Sequence, residues 1–169
     1  VTPRDLVLTP GGLRYQGRVF PCTHGRGGVR ADKREGDGAT PAGTHCIVGC
    51  LYRPDRMARP CDRAAPIGPG DLWCDDPNDA DYNRMVRAPH GGGCERLRRA
   101  DRLYDLILLT DWNLPQTGYA RGSAIFLHRW RAPGVPTAGC IAMAPRHLAW
   151  IAARVGRGAR LVVPERLAG

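Results

Sequence analysis

Two residues of the 169-residue chain have the types and spacing for acyl transfer: His128 and, twelve residues on, Cys140. A free thiol ionises only near pH about 8.5, so at neutral pH a nucleophilic cysteine needs a base or a cation beside it. An imidazole is such a base, and it can later hand the proton to a leaving amine. The segment between them carries Gly134, Pro136 and Gly139, which lets the chain turn back and bring ring and sulfur together. Gly139 allows the backbone to approach a substrate carbonyl closely. The N–H groups of Gly139 and Cys140 are the expected donors to a tetrahedral oxyanion. An isolated Cys–His pair is a weak signal, because buried inert cysteines are common. Here the setting strengthens it, since Thr137-Ala138-Gly139-Cys140-Ile141 leads directly into a helix signature.

The elements that must hold this pair read mainly as strands. Ser123 to Trp130 (SAIFLHRW) and Tyr104 to Thr110 (YDLILLT) are apolar runs of buried-strand type, and Cys140 to Met143 is short and extended. Pro145 suits a first helical turn, Leu148, Ile151, Ala152 and Val155 follow at helix spacing, and Gly156 and Gly158 end it. Arg160 to Val163 closes with a strand. At the N-terminus, Asp5 to Thr9 and Leu13 to Phe20 flank Pro10-Gly11-Gly12 as a hairpin, and Thr44 to Leu51 returns as a strand after a glycine-rich loop. Residues 53–102, rich in Pro, Asp, Arg and Gly, read as an irregular insert with one short helix, stapled by disulfides. The expectation is a single mainly β domain over 1–169, with one C-terminal helix and long irregular loops.

Seven cysteines, at 22, 46, 50, 61, 74, 94 and 140, form no CxxC, so no structural zinc site is expected. An odd count fits an exported protein with disulfides and one thiol left over. His24, His45, His90 and His147 have no partner at telling spacing. The chain carries 25 Lys and Arg against 16 Asp and Glu, and Lys33 is the sole lysine. A net charge of +9 favours polyanions such as nucleic acid, anionic lipid or a carboxylate-rich cell wall. Aromatics are only 7%, with no basic stripe interleaved with them, so a nucleic-acid stacking surface is not expected. No apolar run approaches the roughly 20 residues of a membrane span.

Ser123 to His128, followed by Pro136-Thr137-Ala138-Gly139-Cys140-Ile141-Ala142-Met143, resembles the catalytic segment of L,D-transpeptidases with the YkuD domain: a histidine, a loop, then Ser/Thr-His-Gly-Cys. Upstream, Gly36 to Gly43 resembles that family's Thr-Pro-x-Gly segment, and the likeness runs from about Gly28 to Pro164. The chain departs from the pattern in Ala138 where the family has histidine, in Ala142 where it has Asn or Arg, and in a shorter loop after His128. The resemblance implies a β-sandwich enzyme of the periplasm or cell envelope, exported and free of cofactors, that remodels peptidoglycan. Cys140 would attack a donor-stem carbonyl and pass the acyl group to an acceptor-stem amine, forming 3–3 or 1–3 cross-links. His128 would be base and acid, the main chain of Arg129 would orient its ring, and Thr137 would shape the pocket. Carbapenem-type inhibitors are expected to acylate the same sulfur. Lys33, Glu35 and Asp37 in the glycine-rich loop, and Tyr82 and Asn83 in the insert, are further candidates for holding stem-peptide groups. The competing readings are an L,D-carboxypeptidase or endopeptidase, in which water resolves the thioester, and a non-catalytic cell-wall binding domain.

Overall fold

The computed structural model describes residues 1–114 and 121–167. Among the described residues strands account for 37% and helices for 7%, so the protein is mainly β, and the one α-helix among them spans Pro145–Ala152. The organising element is the ten-residue strand Gly43–Tyr52. Its first half pairs antiparallel with Arg160–Val163, from which the ladder continues to Leu6–Thr9, Gly12–Tyr15 and Arg18–Phe20. Its second half pairs antiparallel with Leu106–Thr110, then Phe126–Arg129, then Ile141–Met143 and Cys22–Thr23. Leucines from both arms, among them Leu6, Leu8, Leu108 and Leu127, share one core with Leu148 and Ile151 of the helix. Burying each such side chain stabilises the fold by about 1.5–3 kcal/mol.

Leu106–Thr110 and Phe126–Arg129 are apolar on both faces because both faces are covered. On the second face, Ile107 and Phe126 pack with Leu51, Ile67, Trp73 and Leu97. Three of those partners show where the expectation for the insert needs correcting: Ile67, Trp73 and Leu97 all come from residues 53–102. The insert contains an antiparallel sheet of Arg84–Arg87, Asp71–Cys74 and Cys94–Arg96, plus the strand Ala64–Pro66 beside Gly43–Tyr52, and none of its described residues is helical.

Two other expectations are corrected. Leu13 to Phe20 is not one strand but two, reversed at Gln16 and Gly17, both of which have positive φ. The cysteines are not bridged: all seven are free thiols. The sequence nonetheless folds into thiol neighbours, Cys50 beside Cys61 and Cys74 beside Cys94.

The register of the parallel pair positions the chemistry. Leu127 lies opposite Ile141 and His128 opposite Ala142, which sets Cys140 abreast of Phe126. Side chains alternate along a strand, so Phe126, His128 and Cys140 all project to the face covered by the insert. His128 and Cys140 are therefore diagonal neighbours on one face.

Candidate active site

His128 and Cys140 line a single cavity of about 490 Å³ between the strands, the insert and the loop of residues 131–139. The imidazole is 7% exposed and packs edge-on against the Tyr104 ring, with centroids 5.4 Å apart. Its Nδ1 lies 2.7 Å from the Arg129 carbonyl oxygen. A carbonyl only accepts, so Nδ1 carries the proton and Nε2 keeps its lone pair. Burial lowers the His128 pKa below 6.5, a shift opposed by the Arg129 carbonyl, so the ring is a neutral base at neutral pH.

The Cys140 sulfur accepts a hydrogen bond from the Phe126 N–H at 3.3 Å and faces the Ala124 carbonyl at 3.9 Å. Burial pushes its pKa up to about 12 despite the Phe126 donor. The resting pair is thus thiol and imidazole rather than thiolate and imidazolium.

The turn before Cys140 is fixed by two threonines. Thr137 donates its hydroxyl hydrogen to the Cys140 carbonyl at 2.5 Å and accepts from the Gly139 N–H at 3.1 Å. This corrects one expectation, because the Gly139 N–H is already engaged and only the Cys140 N–H has no bond to a described residue. Thr40, fully buried, accepts from the Gly25 N–H at 2.9 Å and donates to the Gly139 carbonyl at 2.6 Å. That hydroxyl ties the Thr40-Pro41 segment to the nucleophile turn. Replacing Thr40 with valine keeps the volume but strands both partners, so stability is expected to fall by about 1–3 kcal/mol. Thermal melts of Thr40→Val beside Thr40→Ser, which keeps the hydroxyl, check this.

Gly139 adopts φ +142°, and a Cβ there would stand 2.8 Å from the Ala39 carbonyl oxygen. Gly139→Ala therefore combines backbone strain with a clash against main chain. The expected result is a loss of about 1–3 kcal/mol in stability and at least a tenfold fall in turnover, since Cys140 follows directly. Denaturant melts run alongside turnover measurements would show both.

The remaining expected residues divide. Lys33 lines the cavity, buried, with its ammonium donating to Asp37 at 2.6 Å. Glu35 lines it too, accepting from the Tyr82 hydroxyl at 2.6 Å and the Ser123 N–H at 3.2 Å. Three residues are placed differently from expectation. Asp37 stands behind the wall, accepting from Lys33 and from the Arg34 and Ala39 N–H groups. Tyr82 is 2% exposed and bears on the site through Glu35. Asn83 is fully buried and donates to the Trp112 and Asn113 carbonyls, so it organises a loop rather than facing a ligand.

Other wall residues have no motif. Asp75 and Glu95 enter from the insert, and burial raises the pKa of both carboxyls. Glu95 accepts from the Tyr104 hydroxyl at 2.9 Å and from Arg99 at 3.0 Å. Arg26 and Arg131 line the same space, which therefore presents charges of both signs. Such a wall suits a ligand with both carboxylates and amines.

No curated protein and no solved structure matches the chain. The family model YkuD, described as the L,D-transpeptidase catalytic domain, matches residues 3–163. That span includes both threonine-anchored segments, the whole insert and the His128–Cys140 strand pair, so the chain belongs to the YkuD family of L,D-transpeptidase catalytic domains.

Proposed function

We propose that the protein is a peptidoglycan L,D-transpeptidase that uses Cys140 as nucleophile and His128 as general base and acid. The observation that carries this reading is the cavity they share, with Nε2 of His128 left as an acceptor by the Nδ1 bond to Arg129. His128 Nε2 takes the thiol proton as the sulfur attacks a donor-stem carbonyl, and the developing oxyanion accepts from the Cys140 N–H. Collapse breaks the peptide bond, His128 protonates the leaving amine, and a thioester remains on Cys140. An acceptor-stem amine then attacks the thioester and loses a proton to His128. Collapse forms the new amide and restores the thiol. Glu35, Lys33, Asp75 and Glu95, all on the cavity wall, would hold amine and carboxylate groups of the two stems.

The family acts on peptidoglycan peptides and is typical of the cell envelope, and none of the described helices is long and apolar enough to cross a membrane. The reading extends this to a periplasmic enzyme acylated by carbapenems. Defined muropeptides incubated with the protein and analysed by mass spectrometry test it. Cross-linked dimers support transfer, and fragmentation identifies the 3–3 or 1–3 bond. Monomers shortened by one residue, with no dimers, would establish hydrolysis instead.

A further inference from the structure

We propose that Cys74, His90 and Cys94, completed by Asp79, form a structural zinc site in the insert. All four fall between residues 74 and 94, and the small antiparallel sheet brings its two cysteines face to face. Cys74 on Asp71–Cys74 is directly opposite Cys94 on Cys94–Arg96. The Gly91-Gly92-Gly93 turn then returns His90 over the pair, a His-x-x-x-Cys spacing that zinc sites commonly use. One ligand atom from each of Cys74, His90 and Cys94 lies within 4.8 Å of the others, as tetrahedral coordination requires.

The histidine is oriented for this role. Its Nε2 faces the Asp81 carboxylate at 3.4 Å, and its Nδ1 lies 3.3 Å from the Cys94 sulfur. A carboxylate that accepts a hydrogen bond from the Nε2–H leaves the Nδ1 lone pair aimed at the thiols, the carboxylate–histidine–metal arrangement of known zinc centres. The Gly92 N–H already points at that lone pair, 3.2 Å away. Asp79 supplies the fourth direction. Its Oδ2 is 3.9 Å from Nδ1, while its Oδ1 is held by the Asp81 N–H at 2.8 Å. A Cβ on Gly92 would fall on that Oδ2, so glycine makes room for the carboxylate.

Two thiolates, an imidazole and a carboxylate suit zinc rather than magnesium or calcium, which prefer all-oxygen shells. A closed set of four protein ligands, outside the acyl-transfer cavity, marks a structural site. A Cys74–Cys94 disulfide is the competing outcome. Zinc would staple the strands immediately before Asp75 and Glu95, and so fix two acidic residues of the active-site wall. Binding is balanced by release of both thiol protons, giving about two protons per zinc in weakly buffered solution.

The test is metal analysis of the reduced, folded protein after equilibration with zinc and desalting. One zinc per chain is expected, and cobalt in its place should give thiolate-to-metal charge transfer with intense tetrahedral d–d bands. Cys74→Ser and Cys94→Ser should lose the charge-transfer intensity and the stoichiometric zinc, whereas Cys46→Ser, at an exposed cysteine, should keep both. Asp81→Asn should retain the site with zinc affinity lower by about 10–100-fold, which needs no ligand removed. Wild-type protein that is folded, reduced and still free of stoichiometric zinc would overturn the proposal. So would protein purified without reductant whose mass is two hydrogens low, with the bond mapped to Cys74 and Cys94 and no metal recovered after reduction.

Discussion

Cys140→Ala is expected to lower dimer formation from defined muropeptides by at least about 10⁴-fold, to the background of the assay. Removing the nucleophile of a base-assisted acyl transfer removes the covalent route, and the oxyanion donor alone recovers little of it. The Phe126 N–H also loses its acceptor, so the alanine variant should be less stable by about 1–3 kcal/mol. Cys140→Ser separates the two effects. Its hydroxyl can still accept from Phe126 and keep the fold, yet without a sulfur nucleophile it should form no thioester. The readout is intact mass after exposure to a donor stem peptide or a carbapenem, with a single adduct on wild type and none on either variant. A general thiol reagent is a poorer probe, because Cys46 is exposed and reacts whatever Cys140 does. Dimers from the alanine variant, or an adduct mapped to another cysteine, would remove Cys140 from the mechanism.

The strand pair that carries the proposed nucleophile and base is legible because its information is local. His128 sits on one strand and Cys140 immediately before the next, with one loop between them, and the apolar runs around them are long enough to declare strands. The threonine-anchored turn was partly legible: Thr137 and the Thr40-Pro41 segment stood out by resemblance, but the donation from Thr40 to the Gly139 carbonyl spans 99 positions and has no local mark. The insert is illegible in the sequence for a physical reason. Its strands are three or four residues long and broken by glycine and proline, too short for an alternating pattern to emerge. Asp75 and Glu95 therefore entered the wall unannounced, carried there by the pairing of Cys74 with Cys94. Asn83 shows the converse error. A polar residue beside a tyrosine in an irregular stretch looks like a ligand contact, yet its side chain is fully buried and its amide N–H groups go to two main-chain carbonyls. The cysteine count pointed to bridges, whereas the fold gathers Cys74 and Cys94 with a histidine and a carboxylate.

The neutral resting pair makes a second large effect measurable, and its sign follows from the two pKa directions. His128 must be unprotonated to take the thiol proton, and burial holds its pKa below 6.5. The acid limb of kcat/KM should therefore have its midpoint below 6.5, with activity full above it and lost as pH falls through it. Stability runs the same way. The unfolded chain binds this proton more tightly, so the His128 contribution is complete above 6.5 and declines on acidification through the lowered value. Circular dichroism across the same range separates the two losses. On the alkaline side the Cys140 thiol titrates only near about 12, so alkylation of Cys140 should keep accelerating from pH about 7 to about 10, close to tenfold per unit. A thiolate–imidazolium pair would instead give a rate that is flat across that interval, and such a plateau would refute the neutral-pair mechanism. His128→Ala should lower turnover by about 10²–10⁴-fold and abolish the acid limb, while leaving the slope of alkylation with pH unchanged. Those outcomes together would assign the imidazole to the moment of attack, when the proton has to move, and not to storing charge on the sulfur beforehand.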